Sequence, residues 1–128
     1  MPELDANAQS PLILLVEDER ALRKVMELVL QGEGYEVMTA NNGREALAML
    51  EQAPPSLIIS DYVMPEMDGA ELVRRVRSDA RLAEIPILLM SSAFPENMPE
   101  RELVDMSIAK GGSLDQLLGA IVSLIKRA

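Results

Sequence analysis

At 128 residues the chain has room for one domain, and its 48% hydrophobic content supplies a sizeable core that must be aliphatic, since aromatics are only 2%. A net charge of −9 argues against direct binding to nucleic acid or an anionic membrane. There is no Cys and no His, so disulfides, thiol chemistry, His-based triads, His metal sites and a phosphohistidine-carrier role drop out.

Residues 1–11, "MPELDANAQSP", read as a polar tail and not as a signal peptide, and residues 12–128 as the folded domain. The first strand is the unbroken apolar run Leu12–Val16. Such runs, without polar alternation, suit strands buried on both faces, as in a parallel sheet. A helix follows with Leu22, Val25, Met26 and Val29 as its apolar stripe, ended by Gly32 and Gly34. Tyr35–Ala40 reads as a second strand, nearer an edge. Ala46, Leu47 and Leu50 mark the next helix, stopped by Pro54–Pro55. The third strand lies around Leu57–Ile59, and Leu72, Val73 and Val76 stripe the helix after it. On that helix Arg74, Arg75 and Arg77, with Arg81 beyond, read as a solvated basic face.

Ile87–Met90 is the fourth strand. The stretch Phe94–Asp105 is interrupted by two prolines, so any helix there starts no earlier than Pro99 and is short. Met106–Ala109 is a weak fifth strand, and Leu114, Leu117, Leu118, Ile121 and Ile125 stripe the last helix. Three helices begin with a capping-box pattern: Asn42…Glu45, Asp68…Glu71 and Ser113…Gln116. The nine Met read as gap-filling core. Regular β/α alternation implies parallel strands with right-handed crossovers and a site beyond their carboxyl ends. No run approaches a membrane span, so a soluble cytoplasmic domain is expected.

The strand ends carry the chemistry. The first strand runs into Glu17–Asp18, the third into Asp61, the fourth into Ser91–Ser92 and the fifth into Lys110. Neighbouring strands would bring these groups to one hollow. Two carboxylates about 4 Å apart repel by roughly 4 kcal/mol at an effective dielectric of about 20. Three acids are therefore unfavourable alone, but a divalent cation and one ammonium neutralise them. All-oxygen ligands suit Mg²⁺, and a carboxylate beside such a metal can become an aspartyl phosphate. Singly, each signal has a blander reading: "EDE" at 17–19 as a helix cap, Asp61 as a turn acid before Pro65, Lys110 and Ser91 as exposed polar surface. Only their coincidence on one edge points to a site.

At "ILLVEDE", "NNGREAL", "LIISDYVMPEMDG" and "IPILLMSS" the sequence resembles the receiver domain of two-component response regulators (CheY-like), from about Leu12 onward. The resemblance implies a flavodoxin-like, doubly wound α/β fold with a five-stranded parallel sheet of order 2-1-3-4-5, here with a shortened fourth helix. It implies Asp61 as phosphoacceptor, Glu17 and Asp18 as the acidic pair, with Asp18 touching the metal directly, and the Val63 carbonyl completing the protein's share of the Mg²⁺ shell. Ser91 stands at the switch position, with Ser92 its rival if the register shifts by one, and Lys110 at the family's lysine. The phosphoryl donor would be a histidine kinase or histidine phosphotransfer protein, and the output a downstream effector protein or domain. The chain would be a monomer or weak homodimer and would not be an enzyme beyond assisting its own phosphorylation. No effector domain is expected within these residues.

Three positions depart from the family pattern. Gly111 follows the lysine in place of Pro, which points to a trans bond or a mobile loop and a lysine less firmly placed. Ser107 replaces an aromatic, and the segment between Ser91 and Lys110 is shorter by roughly one helical turn. Val63 and Ala93, two residues after Asp61 and Ser91, cannot orient water, which implies slow autodephosphorylation. Two rival readings remain at this point. One is a receiver-fold interaction module with vestigial phosphorylation. The other is a haloacid-dehalogenase-like phosphatase, which would need a second acid where Val63 stands.

Overall fold

The computed structural model describes residues 10–64, 67–94 and 97–127. The tail expected over residues 1–11 lies outside these apart from Ser10 and Pro11, as does the turn residue Pro65. Five strands, β1 (Leu12–Val16), β2 (Glu36–Ala40), β3 (Leu57–Asp61), β4 (Ile87–Ser91) and β5 (Met106–Ala109), form one parallel sheet of order 2-1-3-4-5. The helices are α1 (Arg20–Gly32), α2 (Gly43–Gln52), α3 (Gly69–Ser78) and α4 (Leu114–Arg127). Among the described residues between β4 and β5, the one helical element is a 3-10 helix, Pro99–Leu103, with the proline in its first turn.

The unbroken apolar strands are explained by two cores. Ile13, Leu15, Leu57, Ile59, Leu88 and Ile108 face α1 and α4, where Met26, Leu30, Leu117, Ile121 and Leu124 meet them. Leu14, Val16, Ile58, Ile87 and Leu89 face the opposite layer, closed by Ala46, Leu50, Leu72, Val73 and Val76. Alternate residues of one strand thus feed different cores, so neither face can be polar.

Two stripes are corrected in detail. On α1, Val25 is 57% exposed, and the fully buried anchor is Leu30. On α4, Leu114 is half exposed, and Leu124 is buried instead. Both exposed residues line an apolar groove of about 260 Å³ between α1 and α4.

The caps form as half-boxes. Asn42 Oδ1 accepts from the Glu45 amide at 2.8 Å, while Glu45 reaches back to the amide of Asn41 at 2.7 Å. Asp68 Oδ1 accepts from the Glu71 amide at 3.0 Å, but the Glu71 carboxylate turns to Arg75. Ser113 Oγ accepts from the Gln116 amide at 3.0 Å.

The arginine face is not simply solvated. Arg77 donates to the carbonyls of Leu103 (2.7 Å), Ala83 (2.9 Å) and Ile85 (2.6 Å) and to Asp105 (2.9 Å). Arg74 donates to the buried Glu100 at 2.6 Å. These two side chains lash the 3-10 segment to α3. Glu100, Leu103 and Asp105 stand 26 to 28 residues from these arginines, beyond the reach of helix periodicity.

Candidate functional site

The strand register places the site. Val16 pairs with Ser60, so the next residues, Glu17 and Asp61, emerge side by side. Asp61 pairs with Met90 and Ser91 with Ala109, which brings Ser91 and then Lys110 to the same rim. The ladder continues one step beyond the strands: the Tyr62 amide donates to Met90 at 2.8 Å and the Lys110 amide to Ser91 at 2.9 Å. Glu17, Asp18, Asp61, Val63, Ser91, Ser92, Ala93 and Lys110 line a cleft of about 420 Å³.

Carboxylate oxygens of Glu17, Asp18 and Asp61 lie within 4.8 Å of one another. Glu17 is 2% and Asp61 6% exposed, while Asp18 opens to solvent. Lys110 Nζ donates to Asp61 Oδ2 at 2.7 Å and pairs with Glu17 Oε1 at 3.1 Å. The other Glu17 oxygen accepts from the Glu19 amide at 3.0 Å. The cap reading of residues 17–19 fails accordingly: Glu19 takes the N-cap position without a side-chain cap bond, and Glu17 and Asp18 face the cleft.

Burial pushes the Glu17 carboxyl above its ordinary range, and the nearby Asp61 charge adds to this; the Glu19 amide and Lys110 only partly oppose it. For Lys110, burial disfavours the charged form, but bonds to Asp61 and Glu17 and their charges outweigh it, and the net shift is upward. The ammonium is therefore held in place by two carboxylates. Lys110 keeps both contacts although Gly111 follows it in place of Pro. The bond to Gly111 is trans, as no peptide bond among the described residues is cis, and Gly111 takes φ +83°. That left-handed turn, open to glycine without a Cβ clash, carries the chain from β5 into α4 while Lys110 keeps its partners.

Two residues that sequence reasoning missed hold the acidic loops. Arg23 Nη1 donates to the Glu17 carbonyl at 2.8 Å, steadying the β1–α1 turn from one helical turn inside α1. Gly69 donates to the Tyr62 carbonyl at 2.9 Å, and a Cβ there would stand 2.8 Å from Tyr62 Cα. The "DG" of "MDG" thus has two separate tasks: Asp68 caps α3, and Gly69 lets the loop after Asp61 close on itself. The signal was present in the dipeptide, but only the cap was legible.

Ser91 is buried at the end of β4, with Oγ donating to the Ala93 carbonyl at 3.0 Å and accepting from the Ala93 amide at 3.2 Å. Ser92, next to it, is exposed. The all-oxygen donor set, with one ammonium already offsetting one negative charge, has the chemistry of a hard divalent cation site.

Comparison with known proteins agrees with this geometry. The family model of the response regulator receiver domain matches residues 13–121. The phosphate regulon transcriptional regulatory protein PhoB of Rhizobium meliloti is 33% identical over 121 residues, covering 92% of this chain. The chain spans only 53% of that protein's length. The receiver domain of a signal transduction histidine kinase from Syntrophus aciditrophicus superposes with a TM-score of 0.86 at 32% identity, covering 93% of this chain and 92% of that one. The response regulator TrrA of Thermotoga maritima, solved in complex with Mg²⁺ and BeF, gives a TM-score of 0.77 at 29% identity, covering 89% and 98%. With its sheet order, its acidic rim and these relatives in agreement, the chain belongs to the receiver-domain family of two-component response regulators.

Proposed function

We propose that Asp61 is a phosphoacceptor whose modification switches a protein-binding surface. The observation that carries this reading is the bond from Lys110 Nζ to Asp61 Oδ2, with Glu17 and Asp18 crowded against the same carboxylate. A carboxylate oxygen of Asp61 would attack the phosphorus of a phosphohistidine on a histidine kinase or phosphotransfer protein. The P–N bond breaks and the imidazole leaves. Lys110 holds Asp61 in line and, bonded to it already, stands ready to meet the negative charge that arrives on the phosphoryl oxygens.

Glu17, Asp18, Asp61 and the Val63 carbonyl would hold Mg²⁺, which supplies charge neutralisation at the phosphoryl oxygens when bound. Ser91 serves as the switch hydroxyl: it is the last ladder residue of β4 and lines the cleft, one bond rotation from a new acceptor. Phosphorylation then shifts an equilibrium between two surface states by changing what Ser91 and Lys110 bond. Effector, kinase, a cytoplasmic location and a monomeric or weakly dimeric state belong to this same reading. The described helices include none long and apolar enough to cross a membrane.

The phosphatase alternative finds no support, because position 63 offers an exposed isopropyl group where that chemistry requires an acid. Incubation with acetyl phosphate and Mg²⁺, read by intact mass, tests the proposal. The wild type should gain one phosphoryl group and Asp61→Asn none; equal labelling of both would refute it.

A further inference from the structure

The turn between β2 and α2 is tied to both sides of the cleft without lining it. At its start the Glu17 amide donates to the Ala40 carbonyl at 3.0 Å, one step past the β1–β2 ladder. At its end the Gly43 amide, the first of α2, donates to the Met67 carbonyl at 3.1 Å. The first amides of a helix have no acceptor within it, and this one goes to the loop that follows Asp61. Between the two ties, Asn42 Oδ1 takes the Glu45 amide and the Glu45 carboxylate takes the Asn41 amide, so the turn is braced from within. Gly43 is buried, and no positive φ calls for glycine there. Glycine is a poor helix former; what demands it is the approach of Met67. A Cβ on Gly43 would stand 2.7 Å from the Met67 carbonyl oxygen, 2.8 Å from its Cγ and 3.0 Å from its Cβ.

We propose that Gly43 is a positioning residue for the metal site: through Met67 it sets where the loop after Asp61 holds the Val63 carbonyl, and so tunes the site for Mg²⁺ over a larger divalent cation. This rests on the Mg²⁺ reading of the cleft and names a residue outside the cleft that governs it. The loop leaves the sheet at Tyr62, and its neck is closed by the Gly69 amide on the Tyr62 carbonyl at 2.9 Å. Val63 follows that neck, Met64 sinks its side chain into the core, and the Met67 carbonyl is held by Gly43. The same β2–α2 turn holds the Glu17 backbone, so the acidic pair and the carbonyl are fixed against one braced frame. Mg²⁺ demands near-octahedral ligands at about 2.0–2.1 Å, whereas Ca²⁺ takes about six to eight oxygens at about 2.3–2.6 Å in flexible geometry. A small displacement of the loop therefore costs Mg²⁺ a ligand distance that Ca²⁺ absorbs.

The experiment is calorimetric titration of the full chain with Mg²⁺ and, separately, with Ca²⁺, for wild type, Gly43→Ala, Met67→Gly and Ile121→Val. Ile121 is buried on α4 in the opposite core, so Ile121→Val lowers stability without touching the loop. In Gly43→Ala the Mg²⁺ Kd should rise by about tenfold, the usual loss when an outer support of a metal site is disturbed, and the Ca²⁺ Kd by less than about twofold. Met67→Gly removes the side chain lying over Gly43 and loosens the loop backbone. It should raise the ratio of the Mg²⁺ Kd to the Ca²⁺ Kd in the same direction, and it decides the matter should Gly43→Ala not fold. Ile121→Val should leave that ratio at the wild-type value, because a general loss of stability weakens both ions alike. Mg²⁺ uptake by the wild type with an unchanged ratio in the folded loop variants, or an equal change in Ile121→Val, overturns the positioning role alone. No Mg²⁺ uptake by the wild type removes the metal reading of the cleft and this role with it.

Discussion

Replacing Lys110 by Met keeps the unbranched stem of the side chain, one atom shorter, and removes its charge from two buried carboxylates. At 2.7 and 3.1 Å, and an effective dielectric of about 20, each contact is an attraction of roughly 5–6 kcal/mol before desolvation is counted. Desolvation of the ammonium cancels much of that, and removing one partner of a buried pair typically costs about 3–5 kcal/mol. Glu17 limits the loss. Burial already raises its pKa, and without Lys110 it rises further, so the carboxyl can take up a proton in place of the ammonium. We expect Lys110→Met to cost about 2–4 kcal/mol at neutral pH without divalent cation.

The pH dependence follows from the two shifts. A carboxyl with a raised folded pKa stabilises the fold when protonated, and that contribution is lost as pH climbs from 4.5 through the folded value. An amine with a raised pKa contributes fully below 10.5 and loses its contribution as pH rises through the folded value. The penalty of Lys110→Met should therefore be small in weak acid, largest between these limits, and reduced by Mg²⁺, which binds the more negative mutant site with greater stabilisation. Urea unfolding from pH 5 to 9, with and without Mg²⁺, measures it. A penalty independent of both pH and Mg²⁺ would refute the electrostatic account.

Gly69→Ala should destabilise by about 1–3 kcal/mol, because the new Cβ meets the backbone of Asp61 and Tyr62, not a yielding side chain; unfolding midpoints within error of wild type would count against the close approach. Arg77→Met should cost about 2–4 kcal/mol by taking the guanidinium from three carbonyls and from Asp105, which keeps its bond from the Ile87 amide, whereas Arg75→Met, an exposed i,i+4 partner of Glu71, should cost less than about 1 kcal/mol. Equal losses in chemical denaturation would mean the lashing of the 3-10 segment is unimportant. Val63 is 65% exposed, and both it and Ala93 line the cleft without a group to orient water, so the phosphorylated protein should lose its label slowly in Mg²⁺. A half-life of seconds, followed by mass spectrometry, would contradict this.

Most of the architecture was legible because its signals are local. Unbroken runs such as Leu12–Val16 and 3.6-residue stripes such as Leu72, Val73 and Val76 are set by pleat and helix pitch, and they led directly to the observed elements. The short segment before β5 was legible too, since Pro99 fixes where a helix can start. The site residues could be named because four strand ends each finished on a polar group. What pattern reading misjudged were residues whose partners are distant in sequence. The run of arginines has the spacing of a solvated face, yet Arg77 is a tie to three carbonyls and Asp105. Val25 has the spacing of a core residue, yet lies at the rim of a groove.

From the sequence alone came five buried parallel strands, the helices between them and their caps, and acids, hydroxyls and an amine at the strands' carboxyl ends. Periodicity and capping act over four residues or fewer, so no knowledge of the fold was needed for them. Tertiary structure alone decided that Val16 stands beside Ser60 and Ser91 beside Ala109, and hence that Glu17, Asp61 and Lys110 touch. A register is chosen by the packing of whole faces across the sheet, and one residue of slip would have turned those charges into the core.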